Sequence, residues 1–448
     1  MRFLAAVVLS LALAGPAGAA TVGVSETCDA RGRCTASATF RADPGEANRL
    51  TITKEGHWFV FHDAAAEVRT DERCVRVDGH TVRCAVEYAV GDTGDGDDVL
   101  HGSIGAHLGP GDDRAEITGG YAQGGEGDDV LLGGPGGQSF EGGPGDDRIA
   151  GGAGSDTIGG GAGRDELRGG AGADSINASE FALPVVADLV VGGPGRDTVS
   201  WQRNIRPVVV DLADAAPDGS TGARETLRGI ESAGGTAWPD WIAGDAGPNS
   251  LSGGSWGPDV VLGRGGDDLL DARGDGPTVQ RGGRGDDRIF SSGSGRVHGG
   301  PGDDHLTTEY INKGPAEAFC GRGVDRLTSG ADEGFRLLGC EHVEWQTESE
   351  EGRIDARPVV SARGASFRLR CYYECTGVLI LRDAAGRLVG RRALAAHAWA
   401  TRYVTVPVPP HVAAALRGPG GWSGQVAVRL RVDGRPTTVA FAGRLHAR

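Results

Sequence analysis

Large apolar side chains recur every nine residues at Leu131, Phe140, Ile149, Ile158, Leu167 and Ile176. They belong to six nonapeptides in unbroken register over 124–177, which read G-G-E-G-D-D-V-L-L, G-G-P-G-G-Q-S-F-E, G-G-P-G-D-D-R-I-A, G-G-A-G-S-D-T-I-G, G-G-A-G-R-D-E-L-R and G-G-A-G-A-D-S-I-N. The shared pattern is G-G-x-G-x-D-x-U-x, with the apolar residue U at position eight. Its glycines permit positive φ and close backbone approach, so the first six residues can wind tightly and aim carbonyl oxygens at one point. The last three residues make a strand too short to hold itself. A flexible linker, the simplest alternative for a chain with 79 glycines in 448 residues, has no reason to space its apolar residues by nine.

Burying one apolar anchor contributes less than ordering nine glycine-rich residues costs. Stacked strands recover backbone hydrogen bonds, but they also bring the position-six carboxylates of successive turns together, and like charges oppose that approach. A cation between the turns resolves the conflict. Carboxylates with bare carbonyls are the oxygen set preferred by Ca²⁺, which takes roughly six to eight ligands. Metal binding and folding are then one event.

These nonapeptides resemble the RTX, or hemolysin-type, calcium-binding repeat. The resemblance implies an all-β fold: a parallel β-roll with two nonapeptides per turn and each ion between consecutive turns on one edge, bound by position-six Asp and loop carbonyls. Carried over residue by residue, the ligands are Asp129, Asp147, Asp156, Asp165 and Asp174, while Gln138 marks a weaker or empty site. Degenerate copies add Asp98 and Asp113 upstream and Asp197, Asp240, Asn249, Asp259, Asp268, Asp287 and Asp304 downstream. Six contiguous repeats with ions between neighbours on each edge imply about four ions in the regular block. Position-five acids such as Asp128, Asp146, Asp267, Asp286 and Asp303 are expected to raise the local negative potential instead of ligating.

The repeat array is expected over 91–307, with inserts near 178–191 and 201–235, and the roll is expected to continue through the second. Residues 21–90 lose the glycine period and read as a small β module with a hairpin turning at Asp78-Gly79. A worn repeat over 308–350 reads as a cap, and 354–448, with hairpins around D-A-A-G and Asp433-Gly434, as a C-terminal β-sandwich. That sandwich is the candidate contact for a cell-surface or glycan partner.

The opening Met1-Arg2, the apolar run over 3–14 and Ala17-Gly18-Ala19 fit a signal peptide over 1–20, so a secreted, extracellular protein is expected. Many relatives with such repeats instead use a C-terminal export signal. Eight cysteines are an even set for an oxidising compartment, and closeness in sequence suggests Cys28–Cys34, Cys74–Cys84, Cys320–Cys340 and Cys371–Cys375 among the many pairings open to them. No stretch is long and apolar enough to span a membrane.

Catalytic patterns give little. H-E-x-x-H and a P-loop are missing, and Gly253-Gly254-Ser255-Trp256-Gly257 fits G-x-S-x-G without a strand-then-helix setting. Trp201, Trp238, Trp241 and Trp256 cluster around the second insert, where plugging an irregular core is favoured over sugar stacking. The formal net charge of −16 and arginines alternating with aspartates exclude a phosphate-binding patch for nucleic acid. The leading expectation is a non-enzymatic, exported calcium-binding repeat protein. The alternatives are a polysaccharide-acting enzyme and an adhesin.

Overall fold

Each nonapeptide forms a tight turn followed by a short strand, and consecutive copies fall on opposite faces of a two-sided roll. The computed structural model describes residues 19–445 apart from 30–32, 180–186, 203, 214–217, 221–224, 273–276, 292–294, 309–316, 330–335, 339, 341, 347–350, 362–363, 372–374, 384–386, 397–400, 418–421 and 433–434. The expected signal peptide lies almost wholly outside them. Among the described residues the one α-helix is Pro410–Arg417; the regular structure is otherwise β. The chain divides into two units, Met1–Ser175 and Ile176–Arg448.

In the first unit, antiparallel strands hand over to the parallel roll. Ala19–Cys28 pairs with Cys34–Arg41, and Cys74–Arg76 forms the expected hairpin with Thr81–Ala85. Disulfides Cys28–Cys34 and Cys74–Cys84 staple these pairs. Arg49–Glu55 then runs parallel to Val99–Pro110, placing Leu50 beside Leu100. From there one face stacks Leu100, Ala115, Leu131, Ile149 and Leu167 in register. The other stacks Ala106, Ala122, Phe140 and Ile158. All are buried, so the core is a thin layer between two strand stacks.

Glycine is required where turns nearly touch. Gly143 and Gly145 have φ of 127° and 151°, and an added Cβ would lie 2.1 Å from the Gly125 carbonyl oxygen and 1.9 Å from that of Gly127. No L side chain fits such a backbone at that distance.

The second unit repeats the architecture, and its roll runs through the expected second insert. Thr198–Ser200 pairs parallel with Ser232–Gly234, and Val208–Asp211 with Trp241–Ala243. One stack carries Val199, Ala233, Leu251, Leu270, Ile289, Leu306 and Leu327 inward. The facing stack carries Val210, Ile242, Val261, Gln280, Val297 and Ala318. Gln280, fully buried at an apolar position, donates from Nε2 to the carbonyls of Ala272 (3.0 Å) and Phe290 (2.9 Å). Buried amides survive where such partners exist.

Antiparallel strands extend both stacks at the C-terminal end. His342–Gln346 pairs with Glu351–Ser361, and Arg336–Leu338 runs parallel to Arg435–Leu445, the second arm of a hairpin with Trp422–Val432. Cys375–Asp383 and Leu388–Ala396 form the other expected hairpin. The side chains that would fill a sandwich between these strands lie largely outside those described, as do those of Cys371 and Cys375. Cys320–Cys340 is bonded.

Truncating one rung should open a cavity that the flanking turns cannot collapse. Ile149→Ala should cost the calcium-loaded protein about 2–5 kcal/mol in denaturant unfolding, whereas exposed Arg148→Ala should change it by less than about 0.5 kcal/mol.

Candidate metal centre

Position six of each repeat immediately precedes a strand or, at Gln138, opens one, so strand register stacks these residues into ladders along the edges of the roll. In the first unit one ladder runs Asn48, Asp98, Asp113, Asp129, Asp147 and Asp165. The main-chain N–H of each donates to Oδ1 of the next, at 2.6, 2.7, 2.9, 2.8 and 2.9 Å. The opposite edge carries Gln138, Asp156 and Asp174, joined in the same way at 2.7 and 2.9 Å. Adjacent repeats in sequence thus serve opposite edges.

In the second unit a ladder links Asn249, Asp268, Asp287, Asp304 and Asp325, with N–H to Oδ1 distances of 2.8, 2.9, 2.9 and 2.9 Å. Asp259 does not join it. Its strand belongs to the facing stack, where the Asp240 N–H donates to Asp259 Oδ1 at 3.0 Å and the following rung is Thr278. Asp197 lies beside Glu231, whose carboxylate accepts its N–H at 2.8 Å.

The ladder bonds use one carboxylate oxygen. The second, Oδ2, is buried without a hydrogen-bond partner in Asp98, Asp113, Asp129, Asp147, Asp156, Asp259, Asp268, Asp287 and Asp304. What surrounds it is more oxygen. A Cβ on Gly142 would lie 2.2 Å from Asp147 Oδ2 and 2.5 Å from the Gly160 carbonyl oxygen of the next turn; on Gly263 it would lie 2.2 Å from Asp268 Oδ2 and 2.5 Å from the Gly282 carbonyl oxygen. Acceptors converge where the first glycine of each repeat leaves room, and no N–H or O–H group of the protein donates to these Oδ2 atoms.

This donor set fits a hard cation. Among the described residues no three His, Cys, Asp or Glu side chains gather into a metal-binding group. A cation beside one of these carboxylates would draw its remaining ligands from the carbonyl oxygens that face Oδ2. Such ligands suit calcium and not the softer metals that seek imidazole or thiolate.

Burial pushes these carboxyls up, to about 7 in Asp113, Asp147, Asp259, Asp268 and Asp287 and to about 6 in Asp98, Asp129 and Asp304. Neighbouring acids add to burial, Asp98 and Asp129 acting on Asp113 and Asp165 and Asp129 on Asp147. Without a cation, protons are what these sites would take.

Gln138 places a neutral amide where the other repeats have a carboxylate. It is buried, and neither its Oε1 nor its Nε2 has a hydrogen-bond partner. Asp240 differs in another way: both of its oxygens accept hydrogen bonds, from Thr236 and from the Val208 N–H. The position-five acids form an exposed second ladder running the other way, in which the N–H groups of Asp128 and Asp146 donate back to Asp112 and Asp128 at 2.9 and 2.8 Å.

Four acids that precede strands of the roll were missed in the sequence, and two of them, Asp325 and Glu231, accept the main-chain N–H of the acid one turn earlier. Asp325 sits in the worn repeat F-C-G-R-G-V-D-R-L, where G-x-G-x-D is intact and Cys320 replaces the first glycine. Asp188, Glu225 and Glu231 each directly precede a strand of the insert. The signal there was an acid followed by x-U-x, without the glycines. The tryptophan expectation holds only in part. Trp201 is fully buried, with Nε1 donating to Glu225 at 2.8 Å, but Trp238 and Trp256 are 48% and 58% exposed because they stand in edge loops outside the core. Ser255 lies in the turn after strand Ser250–Gly254, which leads into strand Val260–Gly265 and not into a helix.

Two outcomes follow. Gly142→Ala should lower calcium-loaded stability by about 1–3 kcal/mol and weaken calcium binding in a titration, whereas Gly23→Ala, with nothing within 4 Å of the new Cβ, should do neither. The raised carboxyls also set a pH dependence: the folded chain holds protons that the unfolded chain has lost above its ordinary carboxylate range. Their contribution to metal-free stability is fully present below the unfolded value and is lost as pH rises through about 6 to 7. In calcium-free buffer the β signal in circular dichroism should therefore be larger and more heat-resistant near about pH 5 than near about pH 8. Saturating calcium should reverse that order, since the ion competes with the protons.

The comparisons with known proteins agree with this geometry. The RTX calcium-binding nonapeptide repeat matches in four copies, over 121–137, 141–176 and 235–255. No curated protein matches the chain. The ladders extend beyond the matched residues, through Asp268, Asp287 and Asp304. The chain carries RTX calcium-binding nonapeptide repeats, wound as parallel β-rolls.

Proposed function

We propose that this is an exported, non-catalytic calcium-binding protein whose rolls become ordered when the metal is bound. The observation that carries this reading is the series of buried Oδ2 atoms that face glycine carbonyls with no donor between them. Asp98, Asp113, Asp129, Asp147, Asp156, Asp165, Asp174, Asp197, Asp259, Asp268, Asp287 and Asp304 would hold calcium, each with carbonyl oxygens from its own and the neighbouring turn. Bound calcium supplies the positive charge that stacked carboxylates and carbonyls lack.

The chain's own contribution is placement. Ladder bonds from the preceding turn fix Oδ1, the first glycine leaves room for Oδ2, and the position-eight side chains hold the two faces together. The disulfides Cys28–Cys34, Cys74–Cys84 and Cys320–Cys340 support export, since such bonds persist in oxidising compartments. Among the described residues no helix is long and apolar enough to cross a membrane. Extracellular calcium modules bind at about 10⁻⁴–10⁻³ M, so millimolar calcium should drive the transition.

Circular dichroism of the oxidised chain, titrated with calcium from EDTA, tests this directly. A cooperative gain of β signal in the millimolar range is expected. Identical spectra in EDTA and at saturating calcium would sink the proposal.

A further inference from the structure

We infer that the turn 235–240 is a calcium-independent lock within the second unit, in which Thr236 supplies to Asp240 the contacts that a cation supplies elsewhere. The inference rests on the reading of the other turns as calcium sites. Thr236 stands at position two of the repeat, where the regular turns have a glycine with positive φ. A threonine is strongly disfavoured there, because its β-branched side chain collides with its own backbone in that conformation.

Its backbone accordingly departs from the pattern, and its N–H turns inward to donate to Asp240 Oδ2 at 2.6 Å. The hydroxyl lies 3.1 Å from both carboxylate oxygens and accepts the Trp238 N–H at 2.9 Å. Val208 N–H donates to Oδ1 at 2.7 Å. Asp240 is 3% exposed and has donors on both oxygens.

Arg264 supplies the contrast. It too occupies position two, yet it keeps the glycine-like backbone with φ of 75°, and Asp268 Oδ2 in that repeat stays without a hydrogen-bond partner. A non-glycine residue alone therefore does not close a site; the inward N–H and hydroxyl of Thr236 do. The lock joins three levels of the roll, since the Val208 N–H reaches Asp240 from the turn before and the Asp240 N–H reaches Asp259 Oδ1 in the turn after. It would hold the loop 253–259 close to its calcium-bound shape before any ion arrives.

Hydrogen exchange of the full oxidised chain in EDTA tests order without metal. Amides around 236–241 should exchange more slowly than those around 264–269 by about tenfold or more. Equal exchange in the two loops would overturn the lock. Counting bound calcium by native mass spectrometry tests the site itself: Asp240→Asn should bind as many ions as the parent, and Asp268→Asn fewer. A loss in Asp240→Asn matching that of Asp268→Asn would also overturn it. If the parent chain binds no calcium, the reading of the roll as a calcium site fails, and exchange still decides the lock. Thr236→Val, which keeps the carboxylate and removes the hydroxyl, should speed exchange at 236–241 in EDTA; no change would count against the assignment.

Discussion

A side chain, not the backbone alone, sets the register of this protein. One oxygen of each position-six carboxylate accepts the main-chain N–H of its counterpart one turn earlier, and that bond leaves the second oxygen buried among carbonyls. The arrangement is ordered and electrostatically incomplete at once. Close contact between turns needs glycine, stacking needs the ladder, and the ladder buries charge, so the molecule requires either protons or a cation on its edges. The thin apolar layer inside leaves the edges, with their ladders and buried carboxylates, as the other large contribution to how the turns hold together.

Much of this was legible in the sequence because the repeat is regular where it matters. The spacing of Leu131, Ile149 and Leu167 foretold one face, and that of Phe140 and Ile158 the other. Alternation of edges followed from two nonapeptides per turn, so Asp129 and Asp147 appear on one side and Asp156 and Asp174 on the other. Hairpins at Asp78-Gly79 and around D-A-A-G were readable from turn chemistry and alternation. What local pattern could not show was how a residue at a matching position would be used. Asp240 has the right spacing, but whether its oxygens stay open depends on the backbone of Thr236. Asp259 and Asp268, nine residues apart, fall on opposite edges as the same alternation requires.

Departures from the regular pattern bring protein donors to carbonyl and carboxylate oxygens that would otherwise be buried without them. Gln280 replaces an apolar rung and ties its amide to two carbonyls. Asn48, at the head of the first ladder, donates its amide nitrogen to the Thr93 carbonyl and to Asp98 Oδ1 at 3.0 and 3.3 Å. Arg264 brings its guanidinium to Asp211 and to the Gly244 carbonyl. Such substitutions break the motif while keeping the physical requirement behind it, that buried acceptors find a positive partner. They are hard to recognise in advance because the partner is distant in sequence.

Turn length varies along the roll while the loop leading into the ladder stays constant. Successive ladder aspartates are 15, 16, 18 and 18 residues apart from Asp98 to Asp165, and 19, 17 and 21 apart from Asp268 to Asp325. The loops 124–129, 142–147, 282–287, 299–304 and 320–325 nevertheless all have six residues. Extra or missing residues are therefore absorbed on the far side of each turn. Within each unit, that division lets a turn gain or lose residues through evolution, or accept them by design, outside the six-residue loops while the Oδ1 ladder keeps its register.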